Sequence, residues 1–272
     1  MLDKLMNLDR RIVFILVALG VIIPTFLNVT FPIMVSQPAR DIYDRIESLE
    51  AGTPIILAFN YGPGSMPELH PMAKAVLTHC FQKKVRVIGM TLIAEGSTLG
   101  DEMMREVATT TGAVYGEDYV YLGFRPGAEL VLREMGSAIS AVYETDYAET
   151  PIAQLPMMQE ITNYEQIDLV IDLASGETVE TWIIYANTKF NQEIAAGVTG
   201  VMVSQMYPYL QTEQLIGLMS GLMGAAEYEQ LVEMPGKGIK GMSVQSFVHL
   251  LIAALVIWGN IVFLIQRRRT SD

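Results

Sequence analysis

The sequence predicts an α/β fold: a Rossmann-like, mostly parallel sheet with helices on both faces, flanked by one N-terminal and one C-terminal transmembrane helix. Three observations predict it. The middle of the chain alternates short apolar segments with helical patterns, which is typical of parallel sheets that are covered on both faces. Each end carries a long uncharged segment. The whole chain is 51% hydrophobic with a mean hydropathy of +0.32, more apolar than an ordinary soluble domain.

The first apolar segment is predicted to be a transmembrane helix at 12–35, after a short cytoplasmic tail at 1–11. The sequence has no charged residue from Ile12 to Ala39, and a helix needs about 20 apolar residues to cross a bilayer. A basic start before an apolar stretch is also typical of a signal peptide. This stretch is too long for one, and no small-x-small cleavage site follows it cleanly, which favours a retained anchor.

The second transmembrane helix is predicted at 242–266, and a basic tail at 267–272 follows it. The outer flanks of the two spans carry more basic residues than the inner flanks: Lys4, Arg10, Arg11 and Arg267–Arg269 against Arg40, Arg45, Lys237 and Lys240. Basic flanks tend to stay in the cytoplasm. Both termini are therefore expected there, with the domain at 36–241 in the periplasm or outside the cell.

The middle region is acidic, and this limits its partners. From 38 to 244 it holds 12 of the 18 basic and 27 of the 30 acidic residues, a net charge of −15. Such a domain repels nucleic acid and anionic headgroups, although a charged surface also serves solubility alone. Cys80 is the single cysteine and the three histidines are separated, so neither a disulfide nor a metal site is expected. The expected partners are the lipid bilayer and either further copies or other membrane subunits.

An amphipathic lead-in helix at 38–50 is predicted to open this region, followed by five strands that each precede a helix. The predicted strands are Ile55–Phe59, Val85–Ile93, Tyr119–Leu122, Ile167–Leu173 and Val198–Val203. The predicted helices run at about Met66–Gln82, Thr98–Thr111, 128–143, Gly176–Phe190 and Pro208–Tyr228. The segment 144–166 breaks the alternation, and long loops are uncommon without a purpose. It is either an ordinary surface loop, a cover for a sheet edge or a contact with a neighbouring subunit.

The loops after the strands form the candidate ligand site, because open parallel sheets bind ligands beyond the carboxyl ends of their strands. The candidate ligand-binding residues are Asn60, Gly62, Gly64, Ser65, Glu95, Arg125, Asp172, Ser175 and Ser204. Arg125 is the cation of this set, and it is expected either to bind a carboxylate or phosphate or to pair with Glu95 or Asp172.

The stretch NYGPGSMPELHP, 60–71, is explained as the turn and first residues of a helix. Ser65 and Glu68 have the spacing of a capping box, and Ser175 is expected to cap a second helix. The alternative is that the free N–H groups of the first helix start hold an anion. The Walker and G-x-G-x-x-G spacings are both missing, so no nucleotide cofactor is expected.

No catalytic constellation is recognisable, which favours a non-enzymatic protein. A serine hydrolase needs a histidine beside its nucleophile. His70 is the histidine expected nearest the strand ends, whereas His79 points elsewhere or inward. No serine lies in a G-x-S-x-G elbow.

The functional prediction depends on a helix face of small residues and on the asparagines in the two predicted spans. Gly217, Gly221 and Ala225 are predicted at i, i+4 and i+8 on one helix, a smooth face that packs on the sheet or against another copy. Asn28 and Asn260 in the spans are expected to hydrogen-bond across helices, within or between chains. The sequence thus predicts a self-associating structural or accessory subunit of a membrane assembly. The alternative is a membrane-anchored module that binds or senses a small anionic or polar ligand at the strand ends.

Overall fold

The computed structural model of the protein describes residues 9–27 and 31–269. The chain divides into two compact units. The larger unit is Ile33–Gly238, and the smaller unit is drawn from residues up to Pro32 and from Ile239 onward. The larger unit holds the predicted α/β domain.

The described chain begins with helix α1, Arg10–Leu27, and helix α2, Gln37–Glu47, which corresponds to the predicted lead-in helix. The strands are β1 Pro54–Asn60, β2 Arg86–Thr91, β3 Tyr119–Phe124, β4 Leu169–Ala174, β5 Ile194–Val198 and β6 Gly217–Ser220. The further helices are α3 Met66–Gln82, α4 Gly96–Thr111, α5 Ala128–Met135, α6 Thr178–Trp182, α7 Thr188–Phe190, α8 Val203–Gln211, α9 Gly221–Leu231 and α10 Lys237–Arg269. A π-helical turn, Ile183–Asn187, joins α6 to α7.

The described residues form a six-stranded sheet with the order β3-β2-β1-β4-β5-β6. Every neighbouring pair is parallel, and this order is that of the doubly wound Rossmann fold. The predicted Rossmann-like α/β class is therefore confirmed. The strand order reverses between β1 and β4, where Ile56 lies opposite Val170. Ligands of such folds bind at this switch point, beyond the carboxyl ends of the strands.

Apolar clusters cover both faces of the sheet, which explains why the strands are apolar throughout. All seven residues of β1 are buried. Neighbouring residues of a strand point to opposite faces, so Ile56 packs in the cluster that contains Val120 and Trp182. Leu57 packs in the other, with Val76 and Tyr228.

The predicted elements after β4 are partly wrong. The predicted strand Val198–Val203 and helix Pro208–Tyr228 are replaced by β5, α8, β6 and α9. Gly217 lies on β6, so Gly217, Gly221 and Ala225 do not share a helical face. All three are buried in the domain, and Gly221 adopts a left-handed φ of +56°, which lets β6 turn directly into α9. A short apolar run without periodicity cannot be assigned to strand or helix from sequence alone.

The 144–166 segment folds into short 3₁₀ turns and packs on its own sheet. Ile152, Met157 and Tyr164 are buried in the cluster on one face. The Tyr147 N–H donates to the Tyr121 carbonyl of edge strand β3 over 2.9 Å. The segment thus contacts a sheet edge, as one of the expected alternatives predicted, and a contact with a neighbouring subunit stays a prediction.

The smaller unit contains α1 and most of α10. Among the described residues, one helix segment, Lys237–Ile265, is long and apolar enough to cross a membrane, with a mean hydropathy of 2.5 over an 18-residue window. Helix α1 has 18 residues and ends earlier than the predicted span 12–35, since Phe31–Ser36 are not helical. Pro32 disfavours helix at its own and the preceding position. Asn28 lies outside the described residues.

Candidate functional site

A buried hydrogen-bond network occupies the switch point between β1 and β4. Asn60, the last residue of β1, donates its side-chain amide to Asp172 Oδ1 on β4 over 2.6 Å. The Asn60 Oδ1 atom accepts the Leu92 N–H over 2.6 Å and the Thr91 hydroxyl over 3.2 Å. One asparagine therefore ties β1 to β4 and to the chain that leaves β2.

Asp172 is the central acid of this network. Its carboxylate is fully buried, and its Oδ2 accepts the Thr178 hydroxyl over 2.8 Å. Burial raises the pKa of Asp172 to about 7, and the nearby negative charge of Glu180 adds to the rise, while Thr178 and Asn60 oppose it. At neutral pH this acid therefore holds a proton far more readily than an exposed aspartate.

The loops above the network lie close against each other. A side chain at Gly62 would collide with the Glu95 carboxylate, and one at Gly96 would collide with the Phe59 carbonyl. The Ser175 N–H donates to the Asn60 carbonyl over 3.1 Å. The structure thus brings Asn60, Asp172 and Ser175 together at the switch point, and it places Glu95 over Gly62.

The predicted capping box at Ser65 is wrong. Ser65 precedes α3, but its hydroxyl makes no capping bond within the described residues. Its backbone has φ −103° and ψ −2°, whereas a capping residue is usually extended. The Glu68 carboxylate instead accepts the Gly200 N–H after β5, over 2.8 Å. Gly64 is exposed in the turn before Ser65.

Arg125 does not join the network. Its guanidinium donates to the Phe124 carbonyl over 3.2 Å and lies 5.2 Å from the centre of the Tyr143 ring, a cation–π contact. In the part of the chain that the structure describes, it forms an ion pair with neither Glu95 nor Asp172. Asp172 is instead bonded to Asn60 and Thr178.

Two other predicted site residues also differ from expectation. Ser175 does not cap α6, because Glu177 directly precedes that helix and no side-chain capping bond occurs there among the described residues. Ser204 lies exposed in the first turn of α8. The network members that the sequence interpretation missed are Thr91, Leu92 and Thr178. Thr178 lies three residues after Ser175, the expected cap, and its contact with Asp172 depends on the tertiary fold.

Among the described residues, no hydrogen bond joins a histidine to Asp172. His70 Nδ1 lies 3.1 Å from the Tyr61 hydroxyl. His79 is buried, and its ring nitrogens lie 2.9 Å from the Tyr228 hydroxyl and 2.9 Å from Glu47 Oε1. Burial lowers the pKa of both histidines. Within 9–27 and 31–269, no three His, Cys, Asp or Glu side chains converge as metal ligands.

The fold and the site define a Rossmann-like α/β domain with a self-bonded polar network at its switch point, joined to a long apolar C-terminal helix. Comparison of the chain with protein-family models, curated proteins and solved structures finds no match.

Proposed function

We propose that the protein is a membrane-anchored structural or accessory subunit that associates with copies of itself. Both ends would span the membrane, both termini would be cytoplasmic, and the acidic domain would lie in the periplasm or outside the cell. The network at the switch point carries the proposal. A ligand-binding Rossmann domain offers polar groups there to its ligand. Here Asn60, Asp172 and Thr178 are hydrogen-bonded to one another, which favours a structural role for them.

Exposed apolar side chains on the terminal helices support the anchoring. Leu250, Ile257 and Phe263 on α10 are 62%, 60% and 60% exposed, and Phe14 and Phe26 on α1 are 70% and 80% exposed. Burying one such side chain is worth about 1.5–3 kcal/mol. Lipid or other helices would cover these surfaces, and the predicted first span stays part of the proposal on this basis.

Asn260 supports self-association. Its amide donates to the Val256 carbonyl of its own helix over 3.0 Å, and among the described residues this is the hydrogen bond that its side chain makes. The residue is exposed within an apolar segment. Its oxygen and second N–H would need partners in lipid. The same residue of another copy can provide them, and Asn28 is proposed to act likewise.

The first experiment is the native mass of the full-length protein in a mild detergent. We expect a sharp multiple of 30.1 kDa. Asn260→Leu keeps the helix apolar but removes the amide, and a hydrogen bond between membrane helices is worth about 0.6 kcal/mol on average and about 1.7 at most. The dissociation constant of the assembly should therefore rise by about 3-fold to 18-fold.

The matched control is Ala254→Leu, which changes an exposed small residue of the same helix without removing a polar group. A wild-type monomer would contradict self-association. If Asn260→Leu and Ala254→Leu weaken the assembly equally, the contact through Asn260 is contradicted, whereas self-association is not. A monomer that carries a water-soluble ligand would favour the alternative of a binding module at the strand ends.

A further inference from the structure

A cavity of about 330 Å³ lies in the larger unit, between α3, α4 and the segment that leads from α9 into α10. The buried part of its lining includes Pro71, Ala75 and Thr78 of α3. Met234 and Pro235 supply a further apolar wall. An apolar cavity of about 150 Å³ can hold benzene, so this one has room for a six-membered ring with a polar substituent.

The charged side chains around the cavity balance one another. Two are cationic and two are anionic: Lys74, Lys237, Glu106 and Glu229. The hydrogen bond from Lys74 lowers the pKa of Glu106, and the charge of Lys237 adds to this effect. Glu229 accepts backbone N–H groups of the segment before α10. An ion of either sign would therefore meet charges that already compensate each other, which favours a neutral ligand.

His70 contributes a hydrogen-bond donor to the cavity. Its Nδ1 lies 3.1 Å from the hydroxyl of Tyr61, a fully buried residue that does not line the cavity. Among the described residues this hydroxyl meets no other acceptor, so it donates to Nδ1. Burial lowers the pKa of His70, and the neutral ring then carries its hydrogen on Nε2. In the described part of the chain this Nε2–H has no acceptor.

We propose that the cavity binds a small neutral molecule with an apolar cyclic or branched body and one carbonyl, ether or hydroxyl oxygen. The oxygen accepts the Nε2–H of His70, and the body contacts Pro71, Ala75 and Met234. Ligand sites commonly combine apolar walls with a few placed polar groups of this kind. The inference goes beyond the proposed function, because it uses the larger unit alone and needs neither a membrane nor a second copy.

Cyclohexanone is the probe, since it carries one carbonyl oxygen on an apolar ring. The full-length protein in detergent is labelled with ¹³C in its methionine methyl groups and titrated with this ketone. The resonance of Met234, assigned with Met234→Leu, reports occupancy of the cavity rather than uptake of the probe by detergent. Parallel titrations use cyclohexanecarboxylate and cyclohexylammonium, an anion and a cation of similar size.

We expect cyclohexanone to shift the Met234 resonance until the site is saturated. The two ions should bind at least about tenfold more weakly, because a charge without a partner is costly to remove from water. Tighter binding of either ion would overturn the neutral ligand class. The absence of a saturable shift with all three probes would overturn the site. This series uses the wild type, so it does not depend on the folding of a variant.

Two variants test the location of the bound probe. Ala75→Leu occupies the cavity with its own side chain and should abolish the saturable shift. Ala148→Leu is the matched control, because Ala148 is exposed and does not line the cavity, and its affinity should stay within about twofold of wild type. Unchanged binding in Ala75→Leu, or an equal loss in both variants, would overturn the location.

A third variant tests the hydrogen bond to the oxygen. His70→Phe keeps an aromatic ring but removes the Nε2–H, and it should weaken cyclohexanone binding by about 2-fold to 13-fold. Unchanged affinity in this variant would overturn the role of His70 as the donor.

Discussion

Asn60 at the end of β1 donates its side-chain amide to the carboxylate of Asp172 on β4 over 2.6 Å. These neighbouring strands lie where the strand order reverses, so the bond joins the two halves of the sheet. Both residues are buried, at 1% and 0% exposure. In a low-dielectric interior such a bond is strong, and the loss of one partner leaves the other unsatisfied.

Substitution of Asn60 should destabilise the domain strongly. Asn60→Ala removes the bond to Asp172 and the acceptor of the Leu92 N–H, and we expect a loss of about 3 kcal/mol in the free energy of unfolding. Urea unfolding of the full-length protein in detergent measures it. Ser65→Ala is the control and should change stability by less than about 0.5 kcal/mol. Similar losses in both variants would show that Asn60 contributes no more to stability than Ser65 does.

The stability of the wild type should fall as the pH rises from 5 to 7. Burial raises the pKa of Asp172 from its usual value near 3.8 to about 7. Between these values the folded protein holds a proton that the unfolded chain has lost. The resulting stability is complete below the lower pKa and is lost as the pH approaches the upper one. At about 1.4 kcal/mol per pH unit, the full effect is roughly 4 kcal/mol.

The variant Asp172→Asn tests this dependence, because an amide does not ionise. Urea midpoints of both proteins are measured from pH 5 to pH 8. The wild type should lose stability relative to the variant up to about pH 7 and then level off. Titration of all other groups cancels in the difference. A difference that does not vary with pH would mean that Asp172 ionises like an exposed acid.

Gly217 should be intolerant of a side chain, since it packs inside the domain. A Cβ there would lie 2.5 Å from Ile42 Cγ1 and 2.6 Å from the Pro38 carbonyl. Gly217→Ala should therefore cost about 1–3 kcal/mol of stability. Gly64→Ala is the control, because a Cβ at Gly64 would meet no described atom within 4 Å. It should be neutral or stabilise by up to about 1 kcal/mol. A stable Gly217→Ala with an altered native mass would instead restore the predicted contact between copies.

Glu229 should stabilise the start of α10 through its hydrogen bonds. Its carboxylate accepts the N–H groups of Gly236 and Gly238. Glu229→Gln removes the charge from these bonds, and charged hydrogen bonds contribute about 1.5–3 kcal/mol. Hydrogen exchange at Gly236 and Gly238 should accelerate about 10-fold to 100-fold. The exposed Glu233→Gln is the control and should leave both amides unchanged. Unchanged exchange in Glu229→Gln would contradict the contact.

The sequence predicted the fold class well where periodicity and burial agree. The strands β1 to β4 are apolar because both faces are covered, and each was found at or near its predicted position. Prediction failed around Gly217, where a run of small residues fits a helix face and a buried strand equally well. It also failed at Ser65, whose spacing suits a capping box but whose backbone does not.

The sequence predicted where the candidate site lies but not which of its residues are hydrogen-bonded to one another. The rule of strand carboxyl ends selected Asn60 and Asp172, and the structure places them in contact. Leu92 and Thr178 donate further hydrogen bonds to these two side chains. Those bonds depend on how the loops pack over the sheet, which no local pattern encodes. For the same reason, the contact of Arg125 with Tyr143 could not be distinguished in advance from an ion pair.

The hydrogen bond from the Tyr147 N–H to the Tyr121 carbonyl affects how neighbouring molecules could contact each other. If copies are anchored in one bilayer as proposed, they would meet at high local concentration, and a bare strand edge would recruit the edge of the next molecule. At Tyr121 the outer side of β3 is already hydrogen-bonded to the backbone of the 144–166 segment. A neighbouring sheet could pair with β3 at this point only after that bond had been broken.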